Sequence, residues 1–145
     1  MGVPLKFVRL TALAAFVASL GMPLFKTAEM GDEWGVNALL FGWVVLIEGK
    51  LAWLANPLML LSLFALRRLP HVALIASAAA LCVAVFEYPY SYVDSVGFDS
   101  GREIEAGRVT DFGIAAYVWL VSLALSVAYS VLLVLQQYVA RRDAH

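Results

Sequence analysis

WGVNALLFGWVVLIEGKLAWLANPLMLLSLFAL, running from Trp34 to Leu66, is the stretch whose reading decides the fold. One crossing of a bilayer's hydrocarbon takes about 20 predominantly apolar residues, so this stretch is too long for a single straight span. It is interrupted at Glu48-Gly49-Lys50 and again at Asn56-Pro57. Two arrangements fit. In one, Gly35 to Ile47 and Leu51 to Leu66 are separate crossings joined by a tight turn, which makes five spans in all. In the other, only the later part crosses, and 35–47 is a helix that lies on the membrane surface or dips into it.

Composition makes lipid the solvent. Of 145 residues, 63% are hydrophobic and 14% charged, with mean hydropathy +0.84, whereas soluble domains carry about 25% charged residues. A chain this short leaves too much of itself at the surface to hide that much apolar side chain from water. Three other apolar stretches flank the undecided one: about 8–25, 71–92 and 112–135, the last without any charge. The third ends in Tyr88, Tyr90 and Tyr92, rings suited to the headgroup interface.

Charge chooses between four spans and five. Lys6, Arg9, Arg67, Arg68, Arg141 and Arg142 make six of the ten basic residues, while Lys26 to Glu33 and Asp94 to Asp111 hold most of the acids. Cytoplasmic loops carry the excess of Lys and Arg. For Arg9 and Arg67-Arg68 to share a side, an even number of crossings must separate them. We therefore expect an all-α integral membrane protein, a single domain of four transmembrane helices at about 8–25, 49–66, 71–92 and 112–135. An interfacial or re-entrant helix at about 35–47 lies on the outer side, 93–111 forms an outer loop, and both termini are cytoplasmic. A competing reading takes the basic start and the apolar run from Leu10 to Leu20 as a cleaved signal peptide, although no clear A-x-A site follows. The 93–111 loop, with Gly97, Gly101 and Gly107, reads as turns with room for a short hairpin.

Few residues can carry chemistry. Cys82 is the lone cysteine, so no internal disulfide, CxxC pair or cysteine metal site forms. His71, at the edge of the third span beside a basic turn, and His145 lie near one membrane face, which leaves no haem ligands stacked across the bilayer, and no metal-ligand spacing or phosphate loop is present. No cofactor is expected. The net charge of −1 gives no attraction for nucleic acid.

Ionisable groups within apolar surroundings are functional candidates by default, which singles out Glu48 and Lys50, either solvated in an outer turn or, if the turn dips inward, a proton or cation site with its counter-charge. Pro57 lacks the amide hydrogen that the Trp53 carbonyl would receive, so a kinked or broken helix is expected there, with Asn56 bonding the freed backbone or a neighbouring helix. Glu87, just ahead of Pro89, falls at the outer end of the third span, able to pair with Lys26 or Lys50. Ser122, Ser126 and Ser130 recur every four residues and read as a close-packing seam, matched by Ala76 and Ala80 on the third span.

Gly42-Trp43, the string from Ala52 to Pro57, Arg67-Arg68 and Gly113 with Tyr117-Val118-Trp119-Leu120 together resemble small uncharacterised bacterial inner-membrane proteins, over most of the chain from Gly35 onward. The resemblance implies a bacterial inner membrane and no particular activity. Small multidrug exporters would bring an acidic residue in the first span, and claudin-like or tetraspanin-like proteins paired outer cysteines; this chain has neither. The expected function is non-enzymatic: helix and outer-loop contacts with a membrane protein partner or a second copy, as an accessory subunit or immunity-type protein in the lipid bilayer. The alternative is a small oligomeric transporter or channel that uses Glu48, Lys50 and an Asn56-Pro57 helix break.

Overall fold

A computed structural model describes residues 5–27, 31–47, 49, 51–64, 69–94 and 109–142, with side chains at all of these except 25–27, 31–33, 45, 87–94 and 109–111. Helix α1 (Leu5–Leu20) leads into a hairpin of β1 (Pro23–Thr27) and β2 (Gly31–Trp34). Helix α2 (Gly35–Phe41) runs on as a 3-10 segment, Gly42–Leu46, and a second 3-10 turn, Ala52–Leu54, opens helix α3 (Ala55–Phe64). Helix α4 (Pro70–Asp94), strand β3 (Val109–Phe112) and helix α5 (Ile114–Arg142) complete the order. The chain is mostly helical, and the helical segment at 35–46 falls where the sequence places a fifth helix.

The first expected span, 8–25, is corrected at its end. Gly21 and Pro23 are both helix stop signals, and α1 ends at Leu20. The chain turns through Gly21, whose amide donates to the Ala18 carbonyl at 3.2 Å, and becomes the central strand of an antiparallel sheet ordered β2-β1-β3. Sequence reading missed this sheet. In its register Lys26 stands opposite Asp32 on one side and Asp111 on the other, the alternation of charge that favours cross-strand pairing. The expected hairpin within 93–111 falls on residues 95–108, outside the described ones; of that loop, β3 is described and pairs with β1. The fourth span also differs, because 112 belongs to β3 and α5 runs on to Arg142 through Gln136, Gln137 and Ala140, residues of good helix propensity.

Three contacts orient the helices. The Gly113 amide donates to the Leu24 carbonyl at 2.7 Å, which fixes the start of α5 beside the end of α1. A side chain at Gly113 would run into the Pro23 carbonyl, so this approach of strand to helix requires glycine. The Trp119 indole reaches Asn56 near the start of α3. At the far end, the Arg9 guanidinium lies 5.9 Å from the centroid of the Phe64 ring. The start of α1 and the end of α3 therefore share the end opposite the sheet, from which α4 sets out.

Small side chains fill much of the interior, beside large ones at Phe16, Met59, Leu63, Trp119, Leu123 and Tyr129. Ala12 on α1, Ala55 and Ser62 on α3, Ala73, Ala76, Ser77, Ala80 and Ala84 on α4, and Ala115, Ala116, Ser122, Ser126 and Ser130 on α5 are all buried. Each interior serine bonds its own helix: Ser122 Oγ donates to the Trp119 carbonyl at 2.6 Å, Ser126 to Leu123 at 2.7 Å, Ser130 to Ser126 at 3.0 Å, and Ser62 to Met59 at 2.7 Å. Such back-bonding pairs the hydroxyl at no packing cost, and small residues let helix backbones approach closely. Large apolar groups face outward: Phe86, Ile75 and Tyr138 are 72%, 69% and 68% exposed, whereas the five serines of α3, α4 and α5 are 0% exposed. Among the described helices, one, Ile114–Arg142, is by itself long and apolar enough to cross a membrane.

Because the Ser126 hydroxyl is satisfied within α5, its removal and its enlargement should differ. Ser126→Ala is expected to stay within about 0.5 kcal/mol of the parent, while Ser126→Leu loses about 1–3 kcal/mol through overpacking. Denaturation of the purified protein in detergent measures both; equal losses would make the hydroxyl, not the size, the essential feature.

Candidate functional site

Trp53 and Asn56 are three residues apart, which brings both to the same side of the turn that opens α3. Trp53 Nε1 donates back to the Leu39 carbonyl of α2 at 2.9 Å, and its ring lies against Gly42, where a methyl group would sit 2.6 Å from Trp53 Cδ1. The 35–46 segment and the 52–54 turn are thereby held together as a short helical hairpin around Gly49, whose φ of +80° favours glycine. Asn56 Oδ1 accepts from Trp119 Nε1 of α5 at 2.8 Å. Both indole N–H groups are thus paired, as buried tryptophans require.

The expected break at Pro57 is corrected. Pro57 occupies the first turn of α3, where an amide hydrogen has no intrahelical partner in any case. The Trp53 carbonyl, which would have looked to residue 57, accepts from the Ala55 amide instead. The helix begins near Pro57 and is not broken by it. Asn56 accordingly serves a neighbouring helix rather than the freed backbone, one of the two roles expected for it. Glu48 and Lys50 lie outside the described residues. Glu87 is in α4, with its side chain likewise outside them, so its pairing with Lys26 or Lys50 falls there too.

These elements enclose a partly open cavity of about 50 Å³. Phe16, Ser19 and Leu20 of α1 form one wall, Leu24 of β1 with Gly35, Ala38 and Leu39 of α2 another, and Ala52, Trp53, Asn56 and Trp119 the third. Gly35 belongs there for lack of a side chain, since a Cβ would strike the Ser19 carbonyl. The Ser19 hydroxyl donates to the Phe16 carbonyl at 2.6 Å. None of the lining residues titrates, so the cavity is equipped to bind rather than to move protons or attack bonds. Among the described residues no group of three or more His, Cys, Asp or Glu is gathered to hold a metal.

Sequence reading found Asn56 but not its partner. Trp119 is 63 residues away on another helix, and no local pattern links the two. One signal was available: an indole N–H within an apolar helix needs an acceptor, and Asn56 is the one side-chain amide in the neighbouring apolar run from Leu51 to Leu66. No protein-family model, curated protein or solved structure matches the chain.

The Asn56–Trp119 bond should appear as a coupling energy. In a double-mutant cycle of Asn56→Ala and Trp119→Phe, the two losses are expected to fall short of additivity by about 0.5–1.5 kcal/mol, the net worth of a typical intramolecular hydrogen bond. Additive losses in denaturation midpoints would mean that the bond contributes nothing to stability.

Proposed function

We propose that the chain is a multi-pass protein of a bacterial inner membrane with four crossings, α1, the 52–64 segment, α4 and α5, and with both termini cytoplasmic. It acts by contact, as an accessory subunit or immunity-type protein whose partner is another membrane protein. The small-residue interior and broad apolar exterior carry this proposal. Alanine and serine inside with Phe7, Val17, Leu61, Ile75, Phe86, Val121 and Leu135 outside is costly in water, where so broad an apolar exterior invites association. It is favourable in lipid, where helices associate by close packing and not by hydrophobic exclusion.

Geometry supplies further support. Lys6 and Arg9 at the start of α1, His71 at the start of α4, and Arg141 and Arg142 at the end of α5 gather at the end away from the sheet, as cytoplasmic basic residues would. Trp34 and Trp43, about half exposed, flank α2 together with exposed Phe41 and Ile47, a composition suited to the headgroup region. Lengths are uneven. By helical rise, α5 reaches about 43 Å and α4 about 37 Å, against about 24 Å for α1. The 52–64 segment spans about 21 Å, short of a hydrocarbon core of about 30 Å. Local thinning of the bilayer and flanking interfacial residues accommodate such short spans. The transporter alternative loses one of its supports, because α3 is not broken at Pro57.

Reporter fusions test the topology. A fusion within 95–108 and one after Lys50 should both signal the outer side, and one after Arg142 the cytoplasm; a cytoplasmic signal after Lys50 would overturn the four-span arrangement. Crosslinking in mild detergent then separates the functions. A stoichiometric heterologous partner, retained when Glu48→Gln and Lys50→Gln are combined, is the expected result. A pure homo-oligomer whose ion flux vanishes with those substitutions would favour the transporter.

A further inference from the structure

Resting on the membrane assignment above, we propose that the cavity between α1, α2 and the start of α3 is a lipid site that takes the end of one acyl chain together with a hydrogen-bond acceptor such as its ester carbonyl. The cavity, about 50 Å³, is larger than the roughly 10–15 Å³ needed to hold a single water. Its chemistry disfavours water as the occupant. A buried water ordinarily makes about three hydrogen bonds, yet both indole N–H groups and the Ser19 hydroxyl hydrogen are already committed to protein oxygens, which leaves the Asn56 amide as the one side-chain donor in the lining. Left empty, Phe16, Leu20, Leu24 and Leu39 would forfeit dispersion contacts along one face. An alkyl chain restores them.

One polar group gives the site direction. Asn56 spends its oxygen on Trp119. Its amide nitrogen donates to no described residue, and it is not among the polar atoms sealed inside the protein. Two N–H donors therefore remain at the rim of an otherwise apolar cavity, a pattern matched to a chain that ends in an ester or hydroxyl oxygen. Exposed Val17 of α1 and exposed Val36, Leu40 and Phe41 of α2 surround this part of the molecule with apolar surface, so a chain entering from the bilayer need not cross a polar barrier.

The four tryptophans provide the readout, because Trp53 and Trp119 line the cavity while Trp34 and Trp43 are exposed. In a Trp34→Phe, Trp43→Phe background reconstituted into vesicles of phosphatidylglycerol brominated along its acyl chains, the remaining fluorescence should be quenched. Most of that quenching should be lost when Ala38→Phe or, independently, Ala52→Leu fills the cavity, with helicity by circular dichroism confirming that each variant is folded. Native mass spectrometry of the unfilled protein provides a second measurement, expected to show one retained lipid. A parallel titration of brominated octanol into unlabelled vesicles identifies the source: quenching there alone means a free amphiphile occupies the same site. Reconstituted protein that is quenched equally with the cavity open or filled, or not quenched in either arm, overturns the lipid site and leaves the membrane assignment standing. Failure to enter vesicles at all overturns the membrane assignment instead.

Discussion

Close approach of helix backbones is the constraint on which everything else in this structure depends. Where alanine and serine fill the space between helices, there is little side-chain volume to absorb error, and register must be set by other means. Backbone hydrogen bonds and two indole groups do this. The Gly113 amide on the Leu24 carbonyl sets α5 against α1, and Trp119 on Asn56 sets α5 against α3. Met59, fully buried on α3, meets Ser122 of α5 at 3.6 Å between sulfur and hydroxyl, so a large and adaptable side chain fills the seam where small ones leave room.

The sheet follows from the same constraint. A helix ending at Leu20 must deliver its chain to the next element without loosening the contact between α1 and α5. A strand does so by taking both neighbours into its own hydrogen bonding: the Met22 carbonyl receives the Gly35 amide at 3.0 Å, and β3 runs straight into α5 through Gly113. Glycine at 35 and 113 is what allows such contact. The sheet is therefore a clasp that binds the start of α2, the end of α1 and the start of α5 into one unit, and the cavity is the space this clasp leaves above the small-residue seam.

How much of this was legible depended on the range of the interaction. Long apolar stretches with little or no charge located α4 and α5, and the four-residue spacing of Ser122, Ser126 and Ser130 marked a face that is buried. The helical segment at 35–46, distinct from the helix that follows, was also readable, because two interruptions in one apolar run leave few ways to arrange it. The sheet lies outside that reading, because β1 is itself apolar at Leu24 and Phe25 and continues the run of α1 past Gly21 and Pro23. β3 is four residues within a polar loop, and its partner lies more than eighty residues earlier. Pro57 misled for a related reason: a proline breaks a helix or begins one depending on where the preceding residues stand, and that was set by Trp53 reaching back to Leu39.

That last contact also sets where α3 begins. Were the run from Ala52 onward a plain continuation of α2, its tryptophan would have no reason to turn back. Trp53 instead ties the segment before the turn to the one after it, and Asn56, three residues on, ties the same turn to α5. The polar atoms that a membrane interior tolerates least are thus gathered at one level, near the sheet, where each indole hydrogen meets an oxygen. Below that level α3 need present only apolar and small residues, which it does from Leu58 to Phe64. The amide of Asn56 is the group of this cluster left with donors to spare, at the edge of the cavity.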